Sequence, residues 1–202
     1  VKVAVLCESS GTVRDAFIKR GHDAISCDLL DTMAPGPHIK GDCRDHDWSG
    51  FDLLICHPTC TYLCNSGVSW LHKDPERWDK MREGAEFFKW MLELPCQSIA
   101  VENPIMHKYA VEIIGRRQDQ VVQPWQHGHG ESKATCLWLK GLPLLQPTKI
   151  VSGRTQRMHR LPPSKDRWRL RSMTYPGIAD AMAEQWGSIG ALVATTKGID
   201  DE

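Results

Sequence analysis

Apolar positions along this chain alternate between two rhythms, short unbroken runs and a helical repeat. Residues 1–6 form a brief, nearly continuous apolar run, the pattern of a strand buried on both faces. From Gly11 the apolar residues Val13, Ala16, Phe17 and Ile18 recur near helical spacing, and Gly21 closes the segment. Residues 23–28 predict a second strand, a Pro/Gly-containing loop follows over 31–41, and residues 51–56 predict a third strand. Over 75–94 the positions Trp78, Met81, Ala85, Phe88, Met91 and Leu92 predict a strong helix. Residues 97–101 read as the next strand, 108–115 as a short helix, 119–124 and 135–139 as further strands, and 177–187 as a closing helix. The last residues, through Asp200, Asp201 and Glu202, are expected to fray. Strands separated by helices predict an α/β fold, a doubly wound and mostly parallel sheet with ligands at the carboxyl ends of its strands.

Composition narrows the setting. A chain of 202 residues with no linker-like stretch suits one domain over 1–202. No apolar run is long enough to span a bilayer and the N-terminus lacks a charged-then-apolar leader, so a cytoplasmic protein is expected, without membrane contact. Eight cysteines scattered singly through such a chain are not expected to pair as disulfides. Cys56, Cys60 and Cys64 are spaced by four with a proline between them and lack a second C-x-x-C or H-x-x-x-H partner, so no metal is expected.

The net charge is zero, yet residues 151–175 carry seven Lys and Arg against Asp166 alone. This basic segment, about 148–175, shows no clean period and reads as an exposed loop able to track phosphates, with Trp168 able to stack on a base. A merely solvated charged surface is the alternative.

Candidate chemistry gathers at predicted strand ends. The stretch from Cys56 and His57 through Pro58, Cys60 and Cys64 to Gly67 follows the third strand, and Glu102-Asn103-Pro104 follows the fourth. A thiol beside a carboxylate suits attack on a flat, electron-poor ring. Cys56 and Cys64 read as structural, and His57 as a hydrogen-bonded scaffold residue. The loop Glu8-Ser9-Ser10-Gly11-Thr12 turns from strand into helix, where Ser10, Gly11 and Thr12 let backbone amides approach an anion. Asp28, at the end of the second strand, is placed for ribose hydroxyls, and Asp42 lies near the same crevice.

In this order the elements resemble the cytosine-5 DNA methyltransferase family, specifically its short phage-type members, over most of the chain. Pro58 with Cys60 and Glu102 with Asn103 carry the resemblance most specifically. The segment 128–139, with Lys133 and Thr135, matches the family's basic strand-edge motif, and 174–179 its final motif. Three departures stand out: Pro58-Thr59-Cys60 replaces Pro-Cys, Glu102-Asn103-Pro104 replaces Glu-Asn-Val, and Gly11 alone remains of a Phe-x-Gly-x-Gly loop. A large target-recognition domain has no room here.

The resemblance implies a Rossmann-like, S-adenosylmethionine-dependent enzyme acting on a flipped or single-stranded cytosine in DNA. Cys60 is then the nucleophile on ring carbon 6, with its pKa lowered or its proton removed on demand. Glu102 holds ring nitrogen 3 and the exocyclic amine, with its pKa raised by burial. Ser10, Gly11, Thr12, Asp28, Asp42 and Pro58 are expected to hold cofactor. Asn103, Lys133, Thr135, Arg160 and Arg167 are expected at the substrate. A free pyrimidine nucleotide as substrate, or a catalytically silent nucleic-acid-binding relative, remain the other readings. Oligomeric state is not legible.

Overall fold

A computed structural model describes residues 1–188, so the tail expected to fray lies outside the described residues. The chain runs β1 (Lys2–Leu6), α1 (Thr12–Lys19), β2 (Asp23–Asp28), β3 (His38–Lys40), β4 (Leu53–Cys56), α2 (Val68–Leu71) and α3 (Glu76–Glu93). It continues through β5 (Ser98–Asn103), α4 (Lys108–Ile114), β6 (Gln120–Val122), β7 (Thr135–Lys140), α5 (Arg157–Arg160), α6 (Arg167–Ser172) and α7 (Pro176–Trp186). The seven strands form one sheet in the order β3-β2-β1-β4-β5-β7-β6. β1 through β5 are parallel, while β7 runs antiparallel to both β5 and β6.

The unbroken apolar strands are explained by a core on each side of the sheet. Ala4 and Leu6, Leu54 and Cys56, and Ile99 and Val101 face α3 and α4, meeting Met81, Ala85, Phe88, Met91 and Ala110. The alternate residues Val3, Val5, Leu53, Ile55 and Ala100 face α1 and α7, where Phe17, Ile178, Met182 and Trp186 are buried. Each large side chain so removed from water stabilises the fold by about 1.5–3 kcal/mol. A sheet covered on both faces exposes only its edges and strand ends, which is where a ligand site must lie.

Three elements differ from the sequence reading. The loop expected over 31–41 contains β3, an edge strand paired with residues 26–28 of β2. Three residues are too few to display a period of two. The basic segment is not a bare loop: it holds the single-turn α5 and the six-residue α6. Met158 is buried in the core beside α7, and Arg157 is tied to Glu131 at 2.9 Å, so both ordering contacts come from distant sequence. α2, after the Cys60 loop, carries no amphipathic pattern to announce it. No helix of the described residues is long and apolar enough to cross a membrane.

Candidate active site

β4 and β5 are neighbouring parallel strands in which Cys56 pairs with Val101, so His57 and Glu102 are the next residues outward on each. Their side chains meet, His57 Nδ1 lying 3.1 Å from Glu102 Oε2, with both nearly buried. One residue further, Asn103 Nδ2 donates to the Pro58 carbonyl at 2.9 Å. The loop then makes a single turn in which the Leu63 and Cys64 amides both donate to the Cys60 carbonyl at 3.0 Å. Its far side is pinned by chain leaving β5: Asn65 N–H donates to Ile105 O at 2.8 Å, and His107 Nε2 donates to Tyr62 O at 2.8 Å. The Cys60 loop is thus held at several points by the strand that carries Glu102.

Charge in this pocket is distributed differently from the sequence expectation. Cys60 is not acidified. A hydrogen bond with Cys64, burial, and the negative charges of Cys64 and Glu102 push its thiol well above the ordinary range. Cys64, read as structural, is the acidic thiol: the hydrogen bond from Cys60 pulls it down to about 5 against its burial. Ser66, whose hydroxyl lies 3.2 Å from Cys64 Sγ, the Gly67 N–H and Arg171 add to that effect. Burial opposes charge on His57, but the hydrogen bond and charge of Glu102, helped by Glu8, outweigh it and raise the imidazole pKa. His57 and Glu102 are joined by this contact, and His57 Nε2 is buried with no protein partner among the described residues.

Lys133 closes another wall. Its Nζ donates to the backbone oxygens of Arg171 at 2.7 Å and Met173 at 3.3 Å, tying the end of α6 to the pocket. Burial lowers its pKa, while Glu102 and Cys60 act to keep it charged. Thr135 is buried at the start of β7, opposite Val122. Arg160 is exposed on α5, and Arg167 shares a groove on α6 with Pro163, Ser164, Trp168 and Arg171.

The first loop lies at the ends of β1 and β2. Glu8, which the sequence reading passed over, turns back to accept the Val13 and Arg14 amides at 2.7 and 3.2 Å, so the α1 N-terminus already has its anion. Ser10 Oγ donates to Glu8 at 3.0 Å and accepts from Thr12 N–H at 3.2 Å. Among the described residues the amides of Ser9, Ser10 and Gly11 donate to no protein group. Asp28 uses one carboxylate oxygen for Leu30 N–H at 2.9 Å, and its other oxygen has no hydrogen-bond partner among the described residues. Asp42 caps the turn Cys43–Asp45 and is gripped by Arg44, whose hydrogen bonds lower its carboxyl to about 2. Both Asp42 oxygens are engaged by Arg44, unlike Asp28, so Asp42 is the less available of the two carboxylates.

No protein-family model matches the chain, and no curated protein does. Among solved structures it is similar to one from E. coli described as a candidate DNA modification methyltransferase encoded within a prophage. That likeness has a TM-score of 0.51 at 16% identity and covers 80% of this chain but 55% of the other. It is also similar to the Entamoeba histolytica methyltransferase EhMeth, with a TM-score of 0.47, 15% identity, and coverage of 81% of this chain and 60% of that one. The chain therefore spans a little over half the length of the E. coli protein. Sheet order and the E. coli likeness together define the fold as a Rossmann-like methyltransferase fold.

Two features of the site were missed from sequence. The His57–Glu102 pair required the β4–β5 register, which no local pattern specifies. The Cys60–Cys64 pair had a signal, the spacing of four, which places two side chains on one side of a single turn.

Proposed function

We propose that this chain is an S-adenosylmethionine-dependent methyltransferase acting on carbon 5 of cytosine in DNA through a covalent adduct of Cys60. The observation that carries the reading is the convergence of Cys60 and Glu102 at neighbouring strand ends, close enough for the carboxylate charge to act on the thiol.

In this reading the Cys60 thiol gives its proton to water as its Sγ bonds to ring carbon 6, and the displaced ring electrons make carbon 5 nucleophilic while charge develops at nitrogen 3. Glu102 faces nitrogen 3 and the exocyclic amine. A carboxylate has no proton to give, but His57 Nδ1 holds one beside it; the proton moves from His57 through Glu102 to nitrogen 3. Asn103 acts as a positioning residue, holding the Pro58 carbonyl and with it the approach of Cys60. S-adenosylmethionine, when bound, supplies a methyl group on a positively charged sulfur. The loop amides at Ser9, Ser10 and Gly11 would hold its carboxylate and Asp28 its ribose hydroxyls, with Thr12, Asp42 and Pro58 completing the crevice. Loss of the carbon 5 proton to water, expulsion of Cys60 with the bonding electrons and a proton from water, and return of the nitrogen 3 proton through Glu102 to His57 finish the cycle. Because the reacting face is hidden in a stacked duplex, the cytosine must be flipped or unpaired. Lys133, Thr135, Arg160 and Arg167 line its path.

The test is incubation with labelled S-adenosylmethionine and duplex DNA, single-stranded DNA or deoxycytidine monophosphate, followed by nucleoside analysis. The parent chain is expected to give 5-methylcytosine in DNA, Cys60→Ser to give none, and Glu102→Ala to fall about 10²–10⁴-fold. Full activity in the serine variant overturns the covalent route. Methylation of the free nucleotide without DNA selects the nucleotide reading, and salt-sensitive DNA binding without cofactor binding selects the silent one.

A further inference from the structure

The proposed chemistry puts Arg167 beside the substrate path and leaves the rest of its groove unused. Arg167 and Arg171 are four residues apart on α6 and Trp168 lies three before Arg171, so one helical face gathers two guanidinium groups and an indole. With Pro163 and Ser164 as the opposite wall, they line an open groove of about 310 Å³. That size is at the small end of the ligand-pocket range, about 300–1,000 Å³, and suits a single nucleotide. The wall is set locally, because prolines 162 and 163 fix their own φ and Arg167 N–H donates back to Ser164 O at 3.3 Å. Trp168 is 58% exposed. One exposed indole means little alone, but this one stands between two cations that the fold does not use. Arg167 Nε is buried with no protein acceptor, and neither arginine has a carboxylate partner among the described residues. Asp166, the acid next in the chain, lies 3.4 Å from Arg169 instead. The groove also adjoins the candidate active site. Lys133 Nζ, whose charge acts on Glu102 and Cys60, holds the backbone oxygens of Arg171 and Met173 at 2.7 and 3.3 Å.

We propose that this groove is a subsite for one unpaired nucleotide of single-stranded DNA, the neighbour of the reacting cytosine, its base stacked on Trp168 and its phosphate held by Arg167 and Arg171. The subsite rests on the reading of DNA as substrate and narrows that substrate to a single strand. A base inside a duplex is covered on both faces, so an indole can take only a base that has left the stack. The planar guanidinium fork matches phosphate oxygens, and Arg167 Nε supplies a donor that lacks a protein acceptor. Every base has a face to stack, so the subsite supplies grip and register without choosing sequence. Lys133 holds the end of α6 against the pocket wall, which keeps the stacked neighbour at a fixed distance from the reacting base.

The test is fluorescence anisotropy with labelled single-stranded oligonucleotides, abasic except for one cytosine and an adenine on one side of it or the other, compared with the cytosine alone. For the parent, adenine on one side is expected to tighten binding by about 5–150-fold, the worth of one base–aromatic stack, and adenine on the other side to add little. Trp168→Ala is expected to abolish that gain while binding the cytosine-only strand like the parent, and Trp168→Phe to restore most of it. Trp70→Ala, an exposed tryptophan of α2, is expected to keep the full gain. Replacing Arg167 and Arg171 together by alanine is expected to lower the slope of log affinity against log salt by about 0.7, the share of one single-strand phosphate. A duplex of ordinary sequence is expected to bind parent and Trp168→Ala alike. An adenine gain that survives in Trp168→Ala, or no gain on either side in the parent, overturns the subsite. So does equal weakening of all strands by Trp168→Ala, which would make the indole a support of α6. Binding needs neither cofactor nor methyl transfer. A Trp168-dependent gain without any 5-methylcytosine removes the proposed reaction and keeps the subsite, while 5-methylcytosine formed with no such gain does the reverse.

Discussion

At the scale of single residues the most consequential contact is His57 with Glu102. The folded state raises the His57 pKa above its ordinary value near 6.5, so the charged pair is complete below that value and is lost as pH rises through the folded one. The His57 contribution to stability is therefore greatest in mild acid and fades on the alkaline side. In thermal unfolding, the melting temperature of the parent relative to His57→Gln should narrow as pH rises, and the His57 ring resonance should titrate above 6.5 by NMR. A ring titrating below 6.5 would mean that burial has won and that His57 is no proton source for Glu102. Sequence offered Glu102 and Cys60 because each follows an apolar run, and strand ends are where chemistry gathers. It did not offer the His57 pairing, since a histidine beside a strand end has many bland uses and only the register of β4 on β5 chooses this one.

At the scale of elements, the crevice expected to cradle the cofactor is shaped from below by a buried arginine. Arg14 on α1 is fully buried, and its guanidinium reaches the backbone oxygens of Ala34, Pro35 and Pro37 together with Ser26 and Thr32. A Cβ on Gly11 would stand 2.5 Å from Arg14 Nη2, and one on Gly36 would stand 2.8 Å from it. Both glycines also have positive φ, 74° and 151°. The bareness of Gly11 therefore makes room for Arg14. Arg14→Ala would strand several carbonyls, and the cost expected for breaking such a buried network is about 3–5 kcal/mol. Urea denaturation should show this loss, with proteolysis of the 29–37 loop rising first; an unchanged midpoint would mean that the loop holds itself. The long helices were legible from their repeat and the inner strands from their unbroken apolar runs. β3 lacks such a run, α2, α5 and α6 are too short to show a helical repeat, and β3 and α5 are held by contacts distant in sequence.

At the scale of the whole molecule, the structure sorts a charge run that sequence could only count. Of the seven basic side chains in 151–175, Arg157 is bound to Glu131, Arg169 lies 3.4 Å from Asp166, and Arg154 stacks over Trp125 at 3.9 Å. Arg160, Lys165, Arg167 and Arg171 have no carboxylate partner among the described residues. Glu131 also accepts the Tyr175 hydroxyl at 2.7 Å, so the Arg157–Glu131–Tyr175 group fixes the segment, and under the proposed function the cations without a carboxylate partner would meet phosphate. Each phosphate neutralised releases counterions and contributes about 0.7–0.9 to the slope of log affinity against log salt. Replacing Arg160 and Lys165 together by alanine should lower that slope by about 1.4–1.8, weaken binding equally across DNA sequences, and leave the melting temperature unchanged. Arg157→Ala should do the reverse, loosening the segment and lowering the melting temperature through Glu131 and Tyr175 while changing the slope little. Fluorescence anisotropy of labelled DNA across a salt series, with parallel melting curves, separates the two. If all four unpaired cations prove silent in the slope, the basic stretch is a solvated surface, and nucleic acid must reach the Cys60 pocket by another face.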